Sequence, residues 1–142
     1  MSDGHLILYS ILEAAQSGQN TLSRAMDTAA STEMIGVLAS QLETFDSIES
    51  EAMQLAARRG WEVPLSVRSP LHRYITCIPS LGRRRMTDSK IAEALIYYHT
   101  KNIIQELKLS HISKISSGQI HQLFQKLLFC QSYNIRQMQP FL

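Results

Sequence analysis

From Ile35 to Leu55 the apolar residues Ile35, Leu38, Leu42, Phe45, Ile48, Ala52 and Leu55 return every three or four positions. That period belongs to an α-helix with one apolar face, and a face sustained over so many turns must be covered by other helices. Ser31 supplies an N-cap, and Glu33 places a carboxylate at the positive end of the dipole. Arg58 and Arg59 put cations at the negative end, and Gly60 is a natural stop. A helix over 31–59 is about 43 Å long at about 1.5 Å per residue, the size of a bundle helix.

Three more segments carry the same period. Over 4–28 the stripe is Leu8, Leu12 (or Ile11), Ala15, Leu22 and Met26. Gly18 interrupts it at a cost of about 1 kcal/mol relative to Ala, which marks a close helix contact. The short turn before Ser31 forces the first two helices to lie antiparallel. A third helix over 88–109 starts on Asp88 as N-cap and faces inward with Ala92, Leu95 (with Ile96), His99, Ile103 and Leu107. The fourth, over 118–137, buries Ile120, Leu123 (with Phe124), Leu127, Cys130 (or Gln131), Asn134 (or Ile135) and Met138 before Pro140 stops it. Between 61 and 87, Pro64, Pro70 and Pro79 forbid one continuous helix, yet Leu65, Val67, Leu71, Tyr74, Ile75, Ile78 and Leu81 are too apolar for a solvated linker. That stretch reads as a crossover packed along the bundle with a short helix between Pro70 and Ile78, long enough for the next helix to start at either end of the bundle. A chain of 142 residues has room for one such core and not for two. The expectation is an all-α single domain over 1–142: an antiparallel four-helix bundle with a long crossover between helices 2 and 3.

No apolar run reaches the roughly 18–20 residues that span a bilayer. His5 to Leu12 lacks the basic flank and the small-residue cleavage site of a signal peptide. Cys77 and Cys130 have no metal-type spacing and read as reduced thiols, so a cytoplasmic protein is expected. Cys77 lies near His72 and Arg73, cations that favour a thiolate, but no orienting partner or oxyanion hole accompanies it. No phosphate-cradling glycine loop is present.

Charge is unevenly spread. Residues 1–57 hold one basic residue against eight acids, whereas 58–90 hold eight basic residues against Glu62 and Asp88. Arg58, Arg59, Arg68, Arg73, Arg83, Arg84 and Arg85 form a candidate basic interaction patch, with Trp61 and Tyr74 interleaved. Guanidinium forks suit phosphates and carboxylates. The acids of the second helix (Asp46, Glu49, Glu51) offer an internal or intersubunit counterpart. An acidic protein surface is the next candidate partner, and nucleic acid a weaker one.

From Leu107 to Leu142 there is no Asp or Glu. A carboxylate-bridged dimetal site in a four-helix bundle takes Glu from two helices and Glu-x-x-His from the other two. Glu13 is available on the first helix, Glu43 or Glu49 on the second, Glu93 and His99 six apart on the third, and only His121 on the fourth. Glu-x-x-His occurs nowhere. No metal, cofactor or catalytic residue is therefore expected, with Glu13 and Glu43 near the surface and His99 a hydrogen-bonded interior histidine.

The opening stretch YSILEAAQSGQNTLSRAMDTAASTEMIGVLASQLETFDSIESEAMQLAARRGW resembles the first hairpin of ferritin-like bundles of spore-forming Firmicutes, including spore-coat F-type domains and a related clostridial family of unknown function. KIAEALIYYHTKNIIQELK is similar to the third helix of that clostridial family and NIRQMQPFL to its closing segment. The resemblance implies a ferritin-like four-helix bundle and a spore association. It implies no activity, because a fold hosts many functions.

Tyr97, Tyr98 and His99 point to three successive faces, which one core cannot bury. With Phe124, Phe129 and Phe141 they suggest a second apolar surface, and a homodimer through the outer sides of the third and fourth helices, with Tyr97, Tyr98 and Phe129 as candidate contacts. The leading expectation is a non-catalytic structural or interaction protein. The alternatives are a metal-dependent oxidoreductase or metal-binding ferritin-like protein, and a nucleic-acid-associated protein using the basic crossover.

Overall fold

Helix α1 spans Asp3–Thr28, α2 Thr32–Arg58, α3 Asp88–Ile112 and α4 Gly118–Met138, with a closing 3-10 turn at Gln139–Phe141. The computed structural model describes residues 2–63, 85–113 and 118–142. Among these residues there is no strand, only an isolated parallel bridge between Ala29 and Met86. The all-α expectation and the four helices hold, while the short helix expected between Pro70 and Ile78 lies outside the described residues.

Local chemistry sets the helix ends. Ser31 caps α2 by accepting from the Met34 N–H at 3.0 Å. Ser2 caps α1 in a reciprocal pair with His5. At α3 the cap is Thr87, which accepts from the Lys90 N–H at 3.2 Å, and Asp88 instead becomes the first helical residue. Its carboxylate still faces the positive end of the dipole. Gly60 takes φ +68° after α2. The Gly60 N–H then reaches the Ala57 carbonyl at 3.1 Å and the Trp61 N–H the Ala56 carbonyl at 2.9 Å. That is the Schellman arrangement, and an L side chain at Gly60 would be strained in it.

Contacts at the two ends fix the helix directions. Beyond α2, the Trp61 ring lies 3.7 Å from the His5 ring, and the Tyr9 hydroxyl donates to the Glu62 carbonyl. The chain therefore leaves α2 beside the start of α1. It enters α3 at the opposite end, where the Met86 N–H donates to the Thr28 carbonyl at 3.1 Å and Arg85 Nη1 to the Ala29 carbonyl at 2.8 Å. Consequently α2 and α3 run the same way, and α1 and α4 run against them. α1 packs on α2, α3 and α4, and α4 on α2 and α3 as well; of these pairs only α1–α4 is parallel, and the others are antiparallel.

The core is formed by Ile7, Leu8, Ile11, Leu12, Leu22, Met34, Leu38, Phe45, Ile48, Ile91, Leu95, Ile120, Phe124 and Leu127 with their smaller neighbours. Gly18 is the close contact its sequence position suggested: a Cβ there would sit 2.9 Å from the Phe45 ring. Some inward stripes differ from expectation. On α2 the buried line runs Met34, Leu38, Gln41, Phe45, with Ile35 and Leu42 only flanking it. On α3 the buried residue near the end is Glu106, and Leu107 stands half exposed. On α4 both alternatives at one position, Cys130 and Gln131, are buried.

Candidate functional site

All four helices contribute polar side chains to the interior. Gln16, Ser17 and Thr21 come from α1, Gln41 from α2, His99 and Glu106 from α3, and Gln131 and Asn134 from α4, all buried. Ser17 and Thr21 are four apart, Gln131 and Asn134 three, and His99 and Glu106 seven, so each pair shares its helix's apolar face and packing carries it inward. Some are paired. Tyr98 and Ser17 share a hydrogen bond between α3 and α1. Gln41 Nε2 donates to Gln137 Oε1 at 3.0 Å, Gln131 Nε2 to Glu106 Oε2 at 2.9 Å, and Asn134 Nδ2 to Cys130 Sγ at 3.8 Å.

The remaining polar atoms are mostly acceptors. Gln16 Oε1, Thr21 Oγ1, Gln41 Oε1, Glu106 Oε1, Gln131 Oε1 and both His99 ring nitrogens find no hydrogen-bond partner among the described residues. His99 was expected inside and is fully buried, but against aromatic rings rather than in a hydrogen bond: the Phe45 ring stacks on it at 6.1 Å. Desolvation pushes its pKa down to about 4, so at neutral pH the imidazole is uncharged. Burial pushes Glu106 up to about 7, against a smaller opposing effect of the Gln131 hydrogen bond. A protonated Glu106 adds a donor to an acceptor-rich interior.

This set has little capacity for two metal ions. Among the described residues no group of three or more His, Cys, Asp or Glu could hold one. Gln131 and Asn134 do stand at the i, i+3 spacing of a chelating pair, but amide oxygens carry no charge to balance metal cations. The acids considered from the sequence do not converge. Glu13, Glu43 and Glu93 are exposed, Glu49 accepts from Gln19 Nε2 at 3.1 Å on the α1–α2 side, and His121 is exposed. Cys130 is buried and its thiol is pushed up to about 11, chiefly by desolvation, which keeps it protonated. Cys77 lies outside the described residues.

The basic patch is divided. Arg58 and Arg59 are exposed at one end of the bundle, Arg59 with its guanidinium 5.2 Å from the Trp61 ring centre. Arg85 is at the other end, hydrogen-bonded to Ala29. Arg68, Arg73, Arg83 and Arg84 lie outside the described residues. Of the three aromatic contacts expected, Tyr97 is 68% exposed and Phe129 66%, but Tyr98 is only 7% exposed. Its hydroxyl is committed to Ser17, so Tyr98 supports the core rather than a partner. Sequence reasoning missed Tyr133, 49% exposed and stacked on Phe129 with centroids 6.5 Å apart. The four-residue spacing of Phe129 and Tyr133 was the available signal.

No protein-family model, curated protein or solved structure matches the chain. No described helix is long and apolar enough to cross a membrane.

Proposed function

We propose that this chain is a ferritin-like bundle without dimetal chemistry, a self-associating structural or interaction protein with the spore association implied by the resemblance of its first two helices. The observation that carries this reading is the composition of the interior: amides and a neutral imidazole at positions facing the bundle axis, with Glu106 the only buried carboxylate among the described residues. Ferritin-like dimetal sites draw carboxylates from every helix. α4 offers none, and the carboxylates of α1 and α2 lie at or near the surface.

The helix directions agree with the ferritin-like layout. The end of α2 and the start of α3 lie at opposite ends of the bundle, about 40 Å apart for a helix of α2's length at about 1.5 Å per residue. Exposed aromatic side chains on α3 and α4 favour a role played through surfaces. Elemental analysis of the protein purified from iron- and manganese-supplemented culture tests the reading. The expected result is well below one metal ion per chain. Near-stoichiometric iron or manganese, with peroxide- or oxygen-dependent turnover, overturns it.

A further inference from the structure

The seam between α2 and α4 is distinctive among the outer faces. Along α4, Gln119, Gln122, Lys126, Phe129 and Tyr133 recur at spacings of three and four and share one flank. That flank lies beside α2: Lys126 Nζ meets Glu51 Oε1 at 2.7 Å, and Gln137, eleven residues further on, bonds Gln41. At the lower end the two helices leave a groove of about 380 Å³, bordered by Glu51, Gln54, Arg58, Gln119, Gln122 and Lys126. One turn above the Lys126 bridge stands the stacked pair Phe129–Tyr133.

The charges of this face are sorted by helix. On this face α2 exposes Glu33, Glu43 and Glu51, with the cation Arg58 at its last turn beside Gln119. α4 exposes Lys126 and Arg136 and has no acid anywhere in its length. An acidic helix beside a basic one is what a two-fold interface needs, because an isologous patch must be complementary to itself. A two-fold axis parallel to the helices, set between them, lays α4 of each copy over α2 of the other at the same height. Lys126 is level with Glu51, which it bridges, and Arg136 is level with Gln41 and Glu43, since its neighbour Gln137 bonds Gln41. The outer side of α3 lacks this sorting: Lys90, Lys101 and Lys108 are exposed there against one exposed acid, Glu93, so a symmetric α3–α4 pair would set mostly like charges together.

We infer that the α2–α4 face is an isologous dimer interface, with Phe129 and Tyr133 at its centre and Lys126 and Arg136 of each copy opposite Glu51 and Glu43 of the other. The inference rests on the self-association part of the function proposed above and moves the contact from α3–α4 to α2–α4. The exposed parts of four aromatic rings supply roughly 500 Å² of apolar area, taking about 200 Å² per ring. That is about a third of a standard interface, enough for the buried centre of one whose rim is polar.

Light scattering at about 1–100 µM tests it on four proteins. The wild type should have a mass near twice 16.1 kDa. The double variant Phe129→Asp, Tyr133→Asp should be monomeric with unchanged helical circular dichroism, because both side chains are exposed. Two charge variants complete the test: Glu43→Lys with Glu51→Lys, and Lys126→Glu with Arg136→Glu. Each alone presents two like-charged helices and should be monomeric. Mixed in equal amounts they should form a one-to-one dimer, because each then meets its opposite. A dimer that survives the aromatic double variant, or charge variants that fail to pair on mixing, overturns this interface and leaves self-association standing. A wild type that stays monomeric throughout overturns both.

Discussion

Glu106 and His99 should control the pH dependence of stability in opposite directions, and single substitutions should separate them. Glu106 ionises near 7 in the folded protein against an ordinary 4.5. A carboxyl raised on folding contributes stability that is complete below 4.5 and is lost as pH rises through about 7. His99 falls to about 4 from 6.5, so its contribution is complete above 6.5 and is lost as pH falls through about 4. At about 1.4 kcal/mol per pH unit, each swing is roughly 3 kcal/mol. Between pH 4.5 and 6.5 the two slopes oppose each other, and the wild type should be nearly level.

Glu106→Gln keeps a hydrogen-bonding partner for Gln131 and removes the carboxyl, leaving the histidine slope. That variant should gain roughly 3 kcal/mol from pH 4 to 6.5 and exceed the wild type at pH 8 by about the same amount. His99→Phe fills the space against Phe45 and leaves the carboxyl slope, so stability should fall by roughly 3 kcal/mol from pH 4.5 to 7. Urea unfolding followed by circular dichroism across pH 4–8 gives these differences, at one protein concentration because association adds apparent stability. Subtracting variant from wild type cancels every surface group common to both. If that difference stays constant with pH to within about 0.5 kcal/mol, Glu106 does not change its ionisation on folding and the argument from burial fails.

Two further outcomes follow from packing. Gly18→Val should destabilise the protein by about 1–3 kcal/mol, since even a Cβ meets the Phe45 ring at 2.9 Å, and adding Phe45→Leu should recover part of the loss; a neutral single variant in thermal melts would contradict the close approach. Cys130, buried with a thiol near 11, should react with a thiol reagent at pH 8 only at the rate of opening, and denaturant should accelerate labelling sharply; rapid labelling in the native state, with Cys77→Ser as background, would contradict its burial.

Helix existence was legible because it rests on a period repeated over many turns: all four helices lie within a few residues of where the apolar spacing and the caps put them. Gly60 and Ser31 act as anticipated because a left-handed cap and an N-cap are local. The shift from Asp88 to Thr87 at the start of α3 is equally local, since either side chain can accept from the first turn. The interior was less legible. Gln41 sits in register between Leu38 and Phe45, but a polar residue on an apolar line invites the choice of the neighbouring Leu42. Glu106 was passed over for Leu107 for the same reason, although its i+7 relation to His99 put both on one face. Tyr98 could be separated from Tyr97 only by knowing that Ser17 waits across the α1–α3 contact. The sorting of charge between α2 and α4 was visible by composition, but that the two helices are neighbours was not.

The order of the helices along the chain also bears on how the protein is made. α1 and α2 are neighbours in the chain, yet the face they present together, from Ile7 through Leu55, is completed only by α3 and α4, the helices that follow them. At about 5–20 residues per second, the nascent hairpin stays uncovered for an interval on the order of ten seconds. Polar Gln16 and Gln41 on that face make it less adhesive during the wait, so the amides that leave the finished interior poor in charge also shield the unfinished one from its neighbours on the ribosome.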